Sequence, residues 1–487
     1  DQPTFADDDA FRFRHLLIRD AAYDALPKET RADLHERIAG WLERHAGLVE
    51  LDEIAGYHLE QAHRNRAELD ASDPRLEALG RHASTRLAHA ARGAASRGDL
   101  AALGLLERAI ALLPVGDPDR LEALIELAHP LLETGSRERA VAVAAELAAA
   151  SDRRYAAYAG LVENLVDVYA GQDLGESFQA RVDVARQVFA ELCDERGLAW
   201  AAESEWWLHW TVCRADTSYE LSMQAAEHAE RAGDHRFAAA LRRAALGAMT
   251  LGPAPADDVV SFAEALLATQ TGPIETATSS RHLGKALAIR GDVEAGRDLV
   301  ASATDTLRDA GLLVAAAAGS MHVWFVEQQA GDLGAAERAL RSGLDELDRL
   351  GDRAYYPTVA VLLADTLARG GAYDEAQRWC AVVRETTAPS DLVNIMIVDA
   401  VEGMLLARRG DHHGGERLAR RGAALADTID FWDHKARAYE LLAETLELCG
   451  KPDEARTTLD KALAVCEAKG DVPGAARVRE LLGSLSA

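Results

Sequence analysis

Lysine, aromatic residues and long apolar runs are all scarce in this chain of 487 residues. Aromatic residues make up 6% of it, and 6 lysines stand beside 47 arginines, a bias that suggests a GC-rich bacterial genome. No apolar run reaches the roughly 18 residues that a membrane-spanning helix needs. The first residues are acidic, whereas a secretory signal begins with basic residues followed by apolar ones. We therefore expect a cytoplasmic protein without a membrane partner.

Cysteine is rare as well, and its five positions are odd in number. No two of them have the Cys-x-x-Cys spacing of a zinc knuckle or a redox motif. We therefore expect reduced and mostly buried thiols rather than a disulfide framework. The cysteines are Cys193, Cys213, Cys380, Cys449 and Cys466.

Positive charge is also in short supply, because the formal net charge is −27. A surface this acidic repels phosphate backbones, which argues against nucleic acid as a partner. Residues 11–37 hold six Arg or Lys against five Asp or Glu, so this segment offers no net basic face either. With 27% charged and 48% hydrophobic residues, the chain has the composition of a folded, soluble protein.

Catalytic motifs are missing too. The sequence contains no P-loop, HExxH or GxSxG pattern, and Gly284-Lys285 lacks the upstream glycine and the hydroxyl of a phosphate loop. Asp411-His412-His413 is a poor metal site, since adjacent histidines on a helix point about 100° apart. We predict no catalytic residue, no cofactor site and no metal site, so the chain is not expected to be an enzyme.

What the sequence does have is a period of about forty residues. Short turns recur at Gly291, Gly331, Gly371, Gly410 and Gly450, with spacings of 40, 40, 39 and 40 residues. Looser versions lie upstream at glycines 98, 135 and 171, and two turns near positions 214 and 252 lack the glycine motif. A fixed period of this length is typical of repeat proteins, and it predicts about ten units.

Each unit is predicted to be a helical hairpin. Apolar residues recur at i, i+3 and i+4 between the turns, and a glycine supplies the left-handed residue after the first helix. Residues seven before and five after the turn glycine are small, as expected where two antiparallel helices approach closely. Trp324 and Leu103 break this pattern, so their hairpins should pack differently. The small residues are Ala91, Ala128, Gly284, Ala364, Gly403, Ala443, Ala140, Gly296, Ala336, Ala376, Gly415 and Ala455.

The segment from Ala364 to Gly371-Ala-Tyr-Asp-Glu-Ala376 resembles the tetratricopeptide repeat, and the resemblance covers roughly residues 80–487. It implies an all-α superhelix of about ten hairpins with a concave inner surface. We place the repeats at 98–470, a capping helix at 471–487 and linking helices at 46–97. Residues 1–45 are expected to hold the end of a winged-helix domain and a junction helix.

That last expectation comes from a second resemblance. The N-terminal pattern is similar to the junction of bacterial signal-transduction ATPases of the STAND type, which are fused to LuxR-type transcription activators or to adenylate and guanylate cyclases. The residues themselves predict a short strand at 11–15, where the pattern alternates, and helices over 17–26, from Pro27 and over 51–63. The resemblance implies a cut boundary at Asp1. The alternative is a simple N-terminal cap on the solenoid. The matching residues are Phe11, Phe13, His15, Ile18, Arg19, Asp20, Tyr23, Arg31, Leu34, His35, Ile38 and Leu42.

Aromatic clusters stand out in a chain with so few aromatic residues. First helices of tetratricopeptide hairpins line the concave groove, so aromatic residues there could form a pocket for a sugar or a peptide. The alternative is ordinary core packing. The candidate groove residues are Trp206, Trp210, Met321, Phe325 and Tyr356.

These patterns together indicate a non-catalytic regulatory module. A protein or peptide partner, or a small-molecule effector, would bind in the groove and change how the solenoid packs on an ATPase domain in cis. The alternative is a stand-alone scaffold that docks a partner peptide without allostery.

Overall fold

The structure is a computed structural model, and it describes residues 15–44, 51–96, 101–172, 174–270 and 272–485. Within these ranges there are 25 α-helices and no strand, which confirms the predicted all-α class. The expected strand at 11–15 lies outside the described residues except for His15, which is extended and precedes the first helix. The helices are α1 (Leu16–Asp24), α2 (Lys28–Arg44), α3 (Leu51–Leu69), α4 (Arg75–Ser96), α5 (Ala101–Ala111), α6 (Pro118–Glu133), α7 (Arg137–Ala148), α8 (Arg153–Tyr169), α9 (Glu176–Leu192), α10 (Glu195–Thr211), α11 (Ala215–Arg231), α12 (His235–Leu251), α13 (Ala256–Leu267), α14 (Pro273–Arg290), α15 (Val293–Asp309), α16 (Leu313–Ala318), α17 (Ser320–Ala330), α18 (Leu333–Leu350), α19 (Tyr356–Arg369), α20 (Tyr373–Thr386), α21 (Leu392–Arg408), α22 (His412–Ala426), α23 (Trp432–Leu448), α24 (Pro452–Lys469) and α25 (Val472–Ser484).

The chain divides into two compact units, Asp1–Ala95 with Asp99–Leu127, and Ala128–Ala487 with Ser96–Gly98. In the first unit, α2 packs along α3, and small and branched residues of α2 to α4 form its apolar core. Arg66 is buried there and pairs with Asp33 and Glu36 of α2. These ion pairs fix α3 against α2, because removing one partner would leave a buried charge uncompensated.

The second unit is a stack of helical hairpins. Neighbouring helices from α8 to α24 pack in antiparallel pairs, and α25 follows the last pair. Helices α16 and α17 act as one first helix that is interrupted at Gly319. The predicted superhelix of about ten helical hairpins is confirmed. No helix in the described ranges is long and apolar enough to cross a membrane.

Left-handed residues lie in the turns between paired helices, as predicted. The five glycines of the forty-residue period have φ between 72° and 98°. Gly291, for example, ends α14 and donates its N–H to the carbonyl of Ala288. The pattern overlooked Gly233, which has φ 75° between α11 and α12. Near position 214 the turn uses Cys213 with φ 58°, a conformation that residues other than glycine rarely adopt.

Glycines lie where neighbouring helices approach closely. A Cβ atom on Gly284 of α14 would lie 2.8 Å from the carbonyl oxygen of Gly296 on α15. A Cβ atom on Gly403 of α21 would lie 2.6 Å from the backbone nitrogen of Ala419 on α22. Trp324 breaks the small-residue pattern as expected and packs differently: its indole N–H donates to the hydroxyl of Thr366 at 2.9 Å.

Candidate functional site

Two of the predicted groove residues meet on α10, the first helix of its hairpin in the second unit. The rings of Trp206 and Trp210 on α10 stack with centroids 4.8 Å apart and planes 20° from parallel. Both side chains are half-buried. Phe431, at the N-cap of α23, lies edge to face with Trp210, and the two ring centroids are 5.0 Å apart. The indole nitrogen of Trp206 is shielded from solvent and has no hydrogen-bond partner among the described residues.

The other three predicted residues lie on α17 and α19. Phe325 is 5% exposed, and its ring contacts Trp432 at 6.0 Å and the Lys285 ammonium at 4.3 Å. Met321 is half-buried against the same core. Tyr356 is half-buried at the start of α19, 5.6 Å from the guanidinium of Arg353. The structure thus brings Phe325 close to the start of α23, whereas Tyr356 has no aromatic contact with the others within the described ranges.

Residues of the C-terminal hairpins bind helices that lie much earlier in the sequence of the second unit. The carboxylate of Asp430 accepts hydrogen bonds from the backbone N–H of Ala215 at 2.5 Å and of Asp216 at 3.1 Å. The backbone N–H of Asp430 donates to the carbonyl of Cys213 at 3.1 Å. Asp430 therefore caps the N-terminus of α11, where unpaired N–H groups and the helix dipole favour a carboxylate.

A second contact of this kind joins α24 to the end of α12. The Lys469 ammonium donates to the carbonyls of Met249, Gly252 and Ala254 at 2.8, 2.8 and 2.6 Å. Burial lowers the pKa of Lys469 to about 7, while three carbonyl acceptors at a helix C-terminus favour its charged form. The indole N–H of Trp432 donates to the carbonyl of Thr250 at 3.0 Å, so the same helix end is held twice.

An ion pair links α14 to α23. The Lys285 ammonium lies 2.8 Å from a carboxylate oxygen of Asp433, and both side chains are less than 10% exposed. The imidazole of His434 contacts the other carboxylate oxygen at 2.5 Å. Burial opposes the charge of Asp433, but His434 and Lys285 outweigh it and hold its pKa well below the usual range.

Next to this pair lies a charged network that is almost fully buried. Asp365 of α19 and Glu440 of α23 are 1% and 3% exposed. The guanidinium of Arg437 binds both of them, with distances of 2.7 Å to Asp365 and 3.0 Å to Glu440. Arg477 of α25 lies 3.0 Å from Glu440, and Arg369 lies 3.3 Å from Asp365. Burial opposes the charge of Glu440, but the arginines lower its pKa to about 2.

These groups surround a cavity of about 40 Å³ inside the second unit. Its lining combines apolar and aromatic side chains with charged and amide groups. Such a mixture is typical of small-ligand sites. The residues that line it are Trp324, Phe325, Gln328, Gln329, Leu362, Asp365, Arg369, Ile397, Trp432, Asp433, His434, Ala436, Arg437, Cys466, Asp471 and Arg477.

Two histidines of the second unit form a further polar cluster. The rings of His282 on α14 and His322 on α17 lie edge to face with centroids 5.1 Å apart. Burial lowers the pKa of both, and the nearby charge of Arg281 lowers them further. Both rings are therefore neutral near pH 7, and neither shielded Nδ1 atom has a partner within the described ranges.

Sequence patterns found the aromatic residues of this region but missed its charged ones. Asp365, Arg437 and Glu440 were not singled out, and Lys285 was considered only as part of a phosphate loop. One signal could have found Asp365, because it interrupts the apolar run Val-Leu-Leu-Ala-Asp-Thr-Leu. A carboxylate inside a buried helix needs a partner, which predicts an arginine on a neighbouring first helix.

Comparisons with known proteins support the fold. No family model matches this sequence, and no curated protein does. A chain of the APC/C hetero-tetramer Cut9-Hcn1 matches with a TM-score of 0.56 and 11% identity, over 96% of this chain and 92% of that chain. The Rap protein complexed with competence and sporulation factor matches with a TM-score of 0.46 and 12% identity, over 76% of this chain and 98% of that chain. The quorum sensor NprR from B. thuringiensis matches with a TM-score of 0.36 and 13% identity, over 69% of this chain and 81% of that chain. The first of these likenesses confirms the tetratricopeptide-like fold.

Proposed function

We propose that this chain is a non-catalytic regulatory module that binds a partner on the inner side of its second unit. The observation that carries the proposal is the stacked pair Trp206 and Trp210, which is half-buried on a first helix. The indole N–H of Trp206 has no hydrogen-bond partner within the described residues. Stacked aromatic rings with a free donor suit a peptide or a small organic effector. The partner would bias a conformational equilibrium by binding one state better than the other.

The closing contacts suggest how binding would be transmitted. Phe431 contacts Trp210. Of its neighbours in the sequence, Asp430 binds the start of α11 and Trp432 binds the end of α12. A ligand that displaces Phe431 from Trp210 would therefore disturb the contacts between early and late hairpins. The N-terminal resemblance suggests that an ATPase domain in cis receives this change, and that the parent protein controls signalling or transcription.

A peptide library panned against the chain tests the binding role. Selected peptides should bind the wild type and lose affinity tenfold or more in the double variant Trp206→Ala/Trp210→Ala. The matched control is Trp379→Ala on α20, a second helix away from the stacked pair, and it should leave affinity unchanged. If the double variant melts far lower but still binds the peptides normally, these tryptophans are core residues and the proposal is wrong.

The ATPase context needs a separate experiment. Sequencing the source DNA on both sides of this segment should show a P-loop ATPase frame leading into Asp1. A start codon directly before Asp1 would instead favour the alternative, a stand-alone scaffold that docks a peptide without allostery. Titration calorimetry should detect no ATP binding to this chain, since it lacks the phosphate-binding motif.

A further inference from the structure

Arg281 of α14 is a half-buried arginine without a counterion. Its guanidinium makes no hydrogen bond or ion pair with any described residue, and its Nε atom is shielded from solvent. Burial lowers its pKa, but a guanidinium stays charged in a protein. Among the described residues, the titratable group that acts on it is Tyr355, a phenol, which is ordinarily neutral near pH 7. A partly buried charge without a partner is costly, so Arg281 calls for an explanation.

Comparable arginines of the second unit pair with carboxylates. Arg297 lies 2.8 Å from Glu327, and Arg341 lies 2.8 Å from Glu375. The chain has 80 Asp and Glu residues, so acidic side chains are not in short supply. The lack of a counterion at Arg281 is therefore a local property of this place in the fold.

The surroundings of Arg281 are positive rather than negative. His282 is the next residue on α14, and the centroid of its ring lies 5.1 Å from that of His322 on α17. The fixed charges that act on these two rings are Arg281 and Lys285. Lys285 is already paired with Asp433 at 2.8 Å, which leaves Arg281 as the uncompensated charge of the cluster.

The two imidazoles have unused hydrogen-bonding groups. Both rings are half-buried, and each has a shielded Nδ1 atom without a partner within the described ranges. From α12 the ring of His282 is faced by Gly247, where a Cβ atom would lie 3.6 Å from Nε2. A neutral imidazole gains a positive charge when it takes up a proton. The cluster can therefore hold one positive charge or two.

A dianion would use all of these groups. A carboxylate would neutralise Arg281 but leave the histidines without a role, and water carries no charge. A phosphate monoester has three acceptor oxygens and carries close to two negative charges near pH 7. Arginine binds such a group bidentately through its fork of N–H donors. A proton taken up by His282 or His322 balances the second charge, because an adjacent anion favours the charged imidazole.

We propose that Arg281, His282 and His322 form a binding site for a phosphate monoester group, carried either by a small organic molecule or by a phosphorylated peptide side chain. The guanidinium binds two phosphate oxygens, and one imidazole takes up a proton from solvent and donates it in a hydrogen bond to the third. The site shares no residue with the tryptophan pair, so the inference goes beyond the proposed function.

Calorimetric titration with inorganic phosphate, in sodium chloride at constant ionic strength, tests the site. Phosphate should bind the wild type saturably, and Arg281→Gln should bind it at least tenfold more weakly. The control Arg338→Gln removes the same charge from an exposed position on α18 and should bind like the wild type. Because Arg281 has no partner to lose, Arg281→Gln should melt no lower than the wild type without phosphate. A much lower melting temperature, or undiminished phosphate binding, would overturn the inference.

Sulfate tests the histidines, because it has the shape of phosphate but keeps both charges across the neutral range. Calorimetry near pH 7 in two buffers of different ionisation enthalpy should show proton uptake when sulfate binds the wild type. The double variant His282→Asn/His322→Asn should bind sulfate more weakly and without proton uptake. Uptake that persists in this variant, or that is missing from the wild type, would contradict the assignment.

Glycerol phosphate and the tripeptide Ala-phosphoserine-Ala distinguish the two sources. Tighter binding of the first indicates a small molecule, and tighter binding of the second indicates a phosphorylated peptide. Equally tight binding of unphosphorylated Ala-Ser-Ala would count against a phosphate site. Panned peptides that depend on Trp206 and Trp210 would leave the proposed function standing in every case.

Discussion

Replacing Asp430 by alanine should weaken the contact between late and early hairpins of the second unit. Its carboxylate is the only side-chain cap found for α11 in the described structure, although it lies about 215 positions away in the sequence. Loss of an N-cap costs about 0.5–2 kcal/mol, and the carboxylate also interacts with the helix dipole. We therefore expect the free energy of unfolding to fall by about 1–2 kcal/mol, with a several-fold rise in local opening.

Hydrogen exchange measured by mass spectrometry locates the effect. Amides in the first turn of α11, Ala215 onwards, should exchange five- to thirty-fold faster in Asp430→Ala at pH 7. The matched variant is Asp411→Ala, which removes the carboxylate that caps α22 by accepting from the backbone N–H of Gly414. It should lower stability by a similar amount and leave exchange in α11 unchanged. Unchanged exchange in α11 of Asp430→Ala would refute the long-range cap.

Two further predictions concern packing and pH. Gly403→Ala should lower the free energy of unfolding, measured in urea, by about 1–3 kcal/mol, because the new Cβ would collide with the backbone of Ala419. The control Gly334→Ala meets only flexible side-chain ends, so it should be neutral or slightly stabilising. Burial raises the pKa of Asp471 to about 6, so the folded state holds its proton more tightly than the unfolded chain does. Asp471 should thus contribute up to about 3 kcal/mol less to stability above pH 6 than below pH 4, and this pH-dependent difference should be missing from Asp471→Asn. Equal pH profiles for the two proteins would contradict this assignment.

The fold followed from the sequence because its signals are local. A left-handed glycine such as Gly291 and a small pair such as Gly284 and Gly296 act within one hairpin, so their spacing is visible in a single chain. Trp206 and Trp210 were found because helical spacing alone places them on one face. Their role as a ligand site stays a prediction.

The charged interior could not be predicted in the same way. Lys469 looks like an ordinary C-terminal helix residue, and its acceptors at the end of α12 and just after it lie 215 to 220 positions away. The partners of Asp430 and Lys285 are also remote in the sequence, with separations of 215 and 148 positions. Such contacts depend on how much each hairpin rotates relative to the previous one, and that rotation leaves no local pattern in the sequence.

These remote contacts restrict how the protein can evolve. An open solenoid can gain or lose a whole repeat, because each unit touches only its neighbours. Here, deleting one forty-residue unit between α14 and α21 would move Asp430 and Lys469 away from the helix ends that they bind. Duplication of a unit would do the same in the opposite direction. The number of repeats between α11 and α23 therefore matters to these contacts as much as the identities of Asp430 and Lys469 do.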